Sequence, residues 1–314
     1  MSLPPQWEAL RKVLDRYGAG RSSVVYEAGY FGFSLYDTIT AHGAQCVVTP
    51  PSLIPQESGN RVKTDKKDSS KLARLLAKGE LRGVHVPDLQ QRSHRSVLRH
   101  RSAMIKARTR IQLQIKAFLT FHGVACPECT GKWSGVFVES LHAIDFGDSF
   151  LQESFLSMLE QYAFFNSQIL TSTKKLRAMS QSTLYRQRFT LLRTIPGVGL
   201  LTAMEVLLEL GDVSRFSNAE KLAAFVGLTP SQHSSGDKIR LGHITSVGKG
   251  NLRGVLTEAS WTLIRKDGAM KAKYERIKAR AGGKRAIVAV AHNLLLRIRR
   301  ILLDGVPYSV GVIG

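Results

Sequence analysis

Cysteine is scarce in this chain, acidic residues are few, and no apolar run is long enough to cross a bilayer. The three cysteines, Cys46, Cys126 and Cys129, give no disulfide framework. No stretch approaches the roughly 18 consecutive apolar residues of a membrane helix. The N-terminal Met-Ser-Leu-Pro-Pro has no basic flank leading into an apolar run, so it does not read as a signal peptide. The shortage of acid is the most informative: 45 Lys and Arg stand against 24 Asp and Glu, a net charge of +21. Such an excess repels itself unless a polyanion offsets it. With no membrane segment in view, nucleic acid is the expected partner and the chain is expected to be intracellular. With 43% hydrophobic and 22% charged residues, a chain of 314 residues has enough apolar material for one large or two ordinary domains.

The first 86 residues read as helix and strand in alternation. Residues 7–17 have helical apolar spacing, 23–26 form a short β-rich run, 33–42 look helical, 45–49 look like a buried strand closed by Pro50 and Pro51, and 68–78 are strongly helical. That order predicts an α/β arrangement with helices over a small sheet. Few strands are visible, and the first arrives only after a helix.

Residues 87–187 change character. Arg92, Arg95, Arg99, Arg101, Lys106, Arg108, Arg110 and Lys116 follow one another with no acid between Asp88 and Glu128. Apolar Val97, Leu98, Met104, Ile105, Ile111, Ile115 and Leu119 recur between them, which predicts a long basic helix. Beyond a loop rich in Gly, Pro and Cys, a second long helix is expected over 150–179, with Phe155, Leu159, Tyr162, Ile169 and Leu176 near heptad spacing. The pair is read as an antiparallel hairpin or as a coiled coil between chains. Those aromatics serve as core. Residues 188–303 read as a compact, mostly helical domain ending in a basic amphipathic stretch over 271–300, followed by a tail, 304–314.

Four motifs carry chemistry. In Ile195-Pro196-Gly197-Val198-Gly199 the glycines allow a tight turn with uncovered N–H groups, the shape of a helix-hairpin-helix phosphate grip. The alternative is a turn between two packed helices. Glu27 follows the first strand, and Asp65 and Asp68 stand three residues apart at the start of a basic helix, which puts both on one face. Gathered carboxylates want a cation such as Mg²⁺; a helix cap and a dipole partner would explain Asp65 and Asp68 equally well. Cys126-Pro127-Glu128-Cys129 has no second pair to complete a zinc site, and reads as an incidental loop pair. Finally, Ser235-Gly236 lies in a polar stretch that also holds Lys238, Lys249 and Arg253, three cations able to hold a phosphate near a hydroxyl. A serine beside a glycine is otherwise ordinary in a loop.

These segments together resemble the IS110/IS1111 group of bacterial insertion-sequence transposases. The resemblance is carried by VVYEAGYFGFSLYDTI, CVVTPPSLIPQ, RVKTDKKDSSKLARLL, the long run from IPGVGLLTAMEVLLELGDVSRF to TSVGKGNLRGVLTEASW, and AVAHNLLLRI, in the family's order across most of 23–300. It implies a RuvC-like domain of ribonuclease-H fold over 1–86, a coiled-coil or helical-hairpin insertion over 87–187, and a helical C-terminal transposase domain over 188–303 with a helix-hairpin-helix-like element. The family's second, third and fourth metal-binding acids fall on Glu27, Asp65 and Asp68, and its nucleophilic serine on Ser235. The first acid has no match: only 26 residues precede Glu27, and Asp15 lies in a helical stretch. The chain therefore reads as a member with a truncated RuvC-like sheet. Ser69 and Ser246 also stand where the family often has an alanine and a basic residue.

The implied activity is DNA transposition. Ser235 would attack a phosphodiester, with Mg²⁺ on Glu27, Asp65 and Asp68, in a composite site between domains or subunits. Double-stranded DNA, further copies of the chain and, as in several members, an element-encoded guide RNA are the implied partners, with a cytoplasmic, nucleoid-associated location. Arg92, Arg95, Arg99, Arg101, Lys106, Arg108, Arg110, Gly197, Gly199, Lys238, Lys249 and Arg253 are the expected nucleic-acid contacts. Two rivals remain: a RuvC-like nuclease that hydrolyses branched DNA with water, and an inactive DNA-binding relic.

Overall fold

The computed structural model describes residues 3–29, 31–55, 64–127, 133–232, 241–244 and 248–311. The chain is mostly helical with little sheet, and it divides into two compact units, Met1–Asp88 and Leu89–Gly314.

In the first unit, α1 (Trp7–Tyr17) precedes β1 (Ser23–Glu27), α2 (Ser34–Ala41) connects to β2 (Gln45–Thr49), and α3 (Asp65–Ala77) follows. The strands are parallel, with Val25 opposite Val47 and Glu27 opposite Thr49. β-Branched residues fill both, as a pleated half-buried surface favours. Leu14, Ile39 and Ala44 form a small buried core under Trp7, Leu10 and Val24. Asp15 lies on α1, as its helical spacing predicts, and its carboxylate sits 2.7 Å from His42 Nε2. Past β2 the chain returns alongside it: the Val84 amide donates to the Val48 carbonyl at 2.7 Å, and Thr49 Oγ1 donates to the Arg82 carbonyl at 3.1 Å. β1 runs one residue past its expected end, so Glu27 closes the strand rather than following it.

The second unit opens with α4 (Leu89–Phe121), α5 (Gly135–His142) and α6 (Ser149–Ser180). Arg101 meets Thr173 and Arg108 meets Asn166, so α4 and α6 run antiparallel as a hairpin within one chain. Ile111, Ile115 and Leu119 of α4 pack on Phe155, Leu159 and Tyr162 of α6. Phe137 and Leu141 of α5 fill the same core, an element the loop-like composition around it concealed.

Then come α7 (Arg186–Arg193), α8 (Leu200–Leu210), α9 (Ala219–Val226), β3 (Pro230–Gln232), β4 (Leu241–Ile244), α10 (Gly250–Lys266), α11 (Gly268–Ala281) and α12 (Gly283–Asp304). α8 is buried from Ala203 to Leu210; α10 packs against it, and Leu256 and Leu263 of α10 share its core with Val290 and Leu294 of α12. β3 and β4 pair antiparallel. Asp267 locks the corner between α10 and α11. It caps α11 through the Ala269 and Met270 amides, accepts from Arg297 Nη1 at 3.0 Å, and accepts from the Tyr308 hydroxyl. Burial pushes this carboxyl up, but those donors outweigh burial and hold it below the usual carboxylate range.

Candidate nucleic-acid interface and reactive residues

Sequence composition makes α4 uniformly basic, but the fold divides its cations into two sets. Arg95 is buried, with Nε donating to the Leu208 carbonyl at 2.5 Å and Nη2 to the Glu209 carbonyl at 2.9 Å. These are carbonyls of the last turn of α8, which no helical amide can satisfy. Arg95 is thus corrected from a nucleic-acid contact to a helix cap, because it is 6% exposed and its guanidinium donates to buried carbonyls. Arg101 Nε donates to Thr173 Oγ1 at 2.8 Å, and Arg108 Nη1 to Asn166 Oδ1 at 3.0 Å. Both face α6 and are half-buried, as is Arg92. Arg99, Lys106 and Arg110 are exposed; their spacing puts them on one face of the helix, with Lys116 exposed farther along.

The acid missing from α4 comes instead from α8. Glu205 and Glu209, one helical turn apart, are both buried, each at 7% exposure. Lys249 Nζ lies 3.2 Å from Glu209 Oε2, and Arg99 Nε 3.8 Å from Oε1. Burial first, and the charge of Glu209 second, push the Glu205 carboxyl up to about 7, against the pull of Arg101. An i, i+4 pair of glutamates inside the apolar run TAMEVLLEL was the available signal, and sequence reasoning passed over it.

The turn before α8 has a packing role at one glycine and not at the other. Gly197 has φ +90, and a Cβ there would strike the Ala259 carbonyl oxygen of α10. Close approach of two backbones requires this glycine, so Gly197 has a packing role beside the phosphate contact expected of its turn. Gly199 is the N-cap of α8, and a Cβ there would meet only Arg193 Nη1 at 3.6 Å. Arg193 Nη1 itself donates to the Val198 carbonyl at 3.1 Å, bridging the turn.

The glycine-rich stretch before α10 is also closely packed. Gly248 has φ +106, and its missing Cβ would lie 2.7 Å from the Gly227 nitrogen. Arg253 Nη1 donates to the Gly227 carbonyl at 3.3 Å, at the C-terminal end of α9. Lys249 and Arg253 thus each have a partner inside the protein, beside the phosphate contact expected of them; composition could not show that α8 and α9 supply those partners. Ser235 and Lys238 lie outside the described residues, in the connection between β3 and β4.

Glu27 is exposed at the end of β1; Asp65 and Asp68 occupy the first turn of α3, Asp65 exposed and Asp68 half-buried. Thr64, not Asp65, caps that helix, its hydroxyl accepting from the Lys67 amide at 3.4 Å. α3 packs against β1. The oxygen donors are of the kind Mg²⁺ takes. Yet among the described residues no three His, Cys, Asp or Glu side chains are gathered closely enough to hold a metal, so the donor set is right in kind and incomplete in number. Cys46 sits on β2, where burial pushes its thiol up to about 11; a protonated thiol is no metal ligand.

Comparison with known proteins gives two family matches. Residues 189–275, which include α8, both hairpin strands and α10, match the family model described as "Transposase IS116/IS110/IS902 family". Residues 4–123 match a second family model of the IS110 type, described as "Transposase". Protein y4qE of Sinorhizobium fredii is 31% identical over 279 residues, which is 88% of this chain and 67% of that one. The transposase for insertion sequence element IS1533 of Leptospira borgpetersenii is 27% identical, over 88% of this chain and 79% of that protein. The transposase for insertion sequence element IS1111A of Coxiella burnetii is 27% identical, over 79% and 68%. Two family matches at opposite ends of the chain, and relatives aligned across most of it, place this protein in the IS110 (IS116/IS110/IS902) family of insertion-sequence transposases.

Proposed function

We propose that this transposase cuts and rejoins DNA through Ser235. The observation that carries the reading is position: Ser235-Gly236 falls within the family-matched 189–275, in the connection between β3 and β4. Glycine next to the serine leaves room for a phosphate to approach the hydroxyl. In the proposed step the Ser235 oxygen forms a bond to phosphorus and loses its proton, the bond from phosphorus to the 3′ oxygen breaks, and that oxygen leaves as a hydroxyl. The phosphoserine link keeps the bond energy, so rejoining is the same exchange in reverse and needs no nucleotide triphosphate. A serine hydroxyl needs activation at neutral pH, and Lys238 is the nearest cation in sequence able to stabilise charge on the phosphate.

Glu27, Asp65 and Asp68 would hold Mg²⁺, and what that ion supplies when bound is stabilisation of negative charge on a phosphate oxygen. The proposed division of labour assigns 1–86 to a RuvC-like domain, 87–187 to the hairpin insertion and 188–303 to the DNA-joining domain. Double-stranded DNA contacts the exposed cations Arg99, Lys106 and Arg110. Further copies of the chain associate through the hairpin, where Phe121 and Phe150 are 84% and 79% exposed; a guide RNA joins where the element encodes one.

The test is a covalent adduct between protein and labelled DNA, trapped in denaturant with Mg²⁺ present. Ser235→Ala is expected to abolish both adduct and strand transfer, while Ser234→Ala keeps both. An adduct that persists in Ser235→Ala rules the assignment out. DNA cleaved by the unaltered chain without any adduct would favour hydrolysis by water instead.

A further inference from the structure

Beside the β3–β4 hairpin the fold holds a cavity of about 450 Å³. Its lining is partly apolar, with Ile244 of β4 and Val288 and Ala289 of α12. It is also cationic, with Lys273 of α11 and Lys284 and Arg285 of α12, and His292 lines the cavity too. Among the described residues that line it there is no carboxylate.

Three features of this cavity are unfavourable in an empty protein. Lys284 and Arg285 sit in the first turn of α12, where the helix dipole disfavours positive charge. Gly282, the N-cap, offers no side chain to the first amides, so those donors lack a side-chain acceptor. Lys273 is half-buried, and burial followed by the charges of Arg276 and Arg297 pulls its pKa down. His292 is held down in the same sense, by burial first and Lys273 last, against the hydrogen bond with Asn293. One anion in the cavity would ease every one of these at once: it would give three cations a shared counter-charge and meet the uncapped end of a helix. The volume exceeds what a bare phosphate needs and falls within the range of small-ligand sites, and the apolar part of the lining suits the flat face of a base.

We infer that this cavity is a nucleotide subsite for DNA. One backbone phosphate rests on Lys273, Lys284 and Arg285, and the attached nucleoside lies against Ile244, Val288 and Ala289. The inference rests on the proposed function for one point only, that the nucleic acid handled is DNA. Its test reads binding and not chemistry, so a protein that never forms a phosphoserine link still reports on the subsite.

The experiment titrates the full chain with a 5′-phosphorylated thymidine trinucleotide, followed by the NMR resonances of the His292 ring. The ring signals are expected to shift on titration. In the double variant Lys284→Gln/Arg285→Gln, whose altered side chains are exposed, affinity is expected to fall about tenfold. The slope of log affinity against log salt should fall by about 0.7 for each phosphate no longer neutralised. An unaltered melting temperature shows that the variant is folded. A His292 signal that does not move, or a double variant with unchanged affinity and salt slope, overturns the inference. So does tighter binding of the matching uridine trinucleotide through the same residues, which would assign the cavity to RNA.

Discussion

Lys249 Nζ stands 3.2 Å from Glu209 Oε2, tying the residue that precedes α10 to the end of α8. The same carboxylate faces Arg99 of α4 at 3.8 Å, and Arg95 caps the backbone just beneath it. Glu209 is therefore where the basic hairpin, the buried α8 and the segment leading out of the serine connection meet. Arg95 is buried there, whereas Arg99 keeps its side chain 63% exposed at the edge of the cluster. The net charge of +21 overstates the charge that α4 presents outward.

Glu205 should make stability depend on pH in an unusual direction for a carboxylate. Its folded pKa is raised from an ordinary 4.5 to about 7, so between those values the folded state keeps a proton that the unfolded chain gives up. Its contribution is fully present below about pH 4.5 and is lost as pH rises towards 7. Glu205→Gln keeps the shape without the charge. The variant is expected to gain on the order of 2 kcal/mol over the parent at pH 8 and nothing at pH 4.5. Urea unfolding of both proteins across that range checks it; an equal gain at both ends would show that charge is not the cause.

The two glycines of the turn before α8 should respond in opposite ways. Gly197→Ala forces a side chain into positive φ against the Ala259 carbonyl, and is expected to cost about 2–4 kcal/mol. Gly199→Ala meets only ordinary contact with Arg193, and should change stability by less than about 0.5 kcal/mol. Denaturant midpoints of the two variants decide. If DNA affinity falls in Gly199→Ala without loss of stability, the amides at the start of α8 are a phosphate contact; if neither changes, this turn is packing throughout.

Local patterns were legible wherever one periodicity governed a segment. The boundaries of α1 and β2, the two long helices α4 and α6, and the start of α8 near Leu200 all follow from apolar spacing and turn residues read along the chain, while the choice between a hairpin and a coiled coil between chains did not. What could not be read was tertiary: which cations would find partners. Nothing near Arg95 in sequence predicts that two carbonyls more than a hundred residues away would need it. Gly248 looked like part of an open phosphate cradle, because only the folded chain shows the α9 backbone pressed against it. α5 was missed because glycine, proline and cysteine around it masked an eight-residue helix. The carboxylates were named from their spacing and from family likeness, and spacing within one helix said nothing about how close Glu27 would come to them.

The surface of α4 offers the sharpest separation of binding from folding. Arg99, Lys106 and Arg110 are exposed on one face, whereas Arg95 is buried on the carbonyls of Leu208 and Glu209. Changing the three exposed cations together to glutamine should leave the melting temperature within a few degrees of the parent, since Lys249 still holds Glu209 when Arg99 is gone. It should weaken binding to unrelated duplexes about equally, and lower the salt slope by about 0.9 for each phosphate no longer neutralised. Arg95→Met should do the reverse: two buried carbonyls lose their donors, at a cost of about 2 kcal/mol or more, while the salt slope of the folded protein stays as it was. Arg108→Gln belongs with neither, because its guanidinium already donates to Asn166 and its removal loosens the hairpin locally. Affinity measured from about 50 to 200 mM salt, beside thermal unfolding of the same samples, reads both effects. An unchanged slope in the triple variant would remove α4 from the DNA interface, and a lowered slope in Arg95→Met would mean that this arginine leaves its carbonyls when DNA arrives.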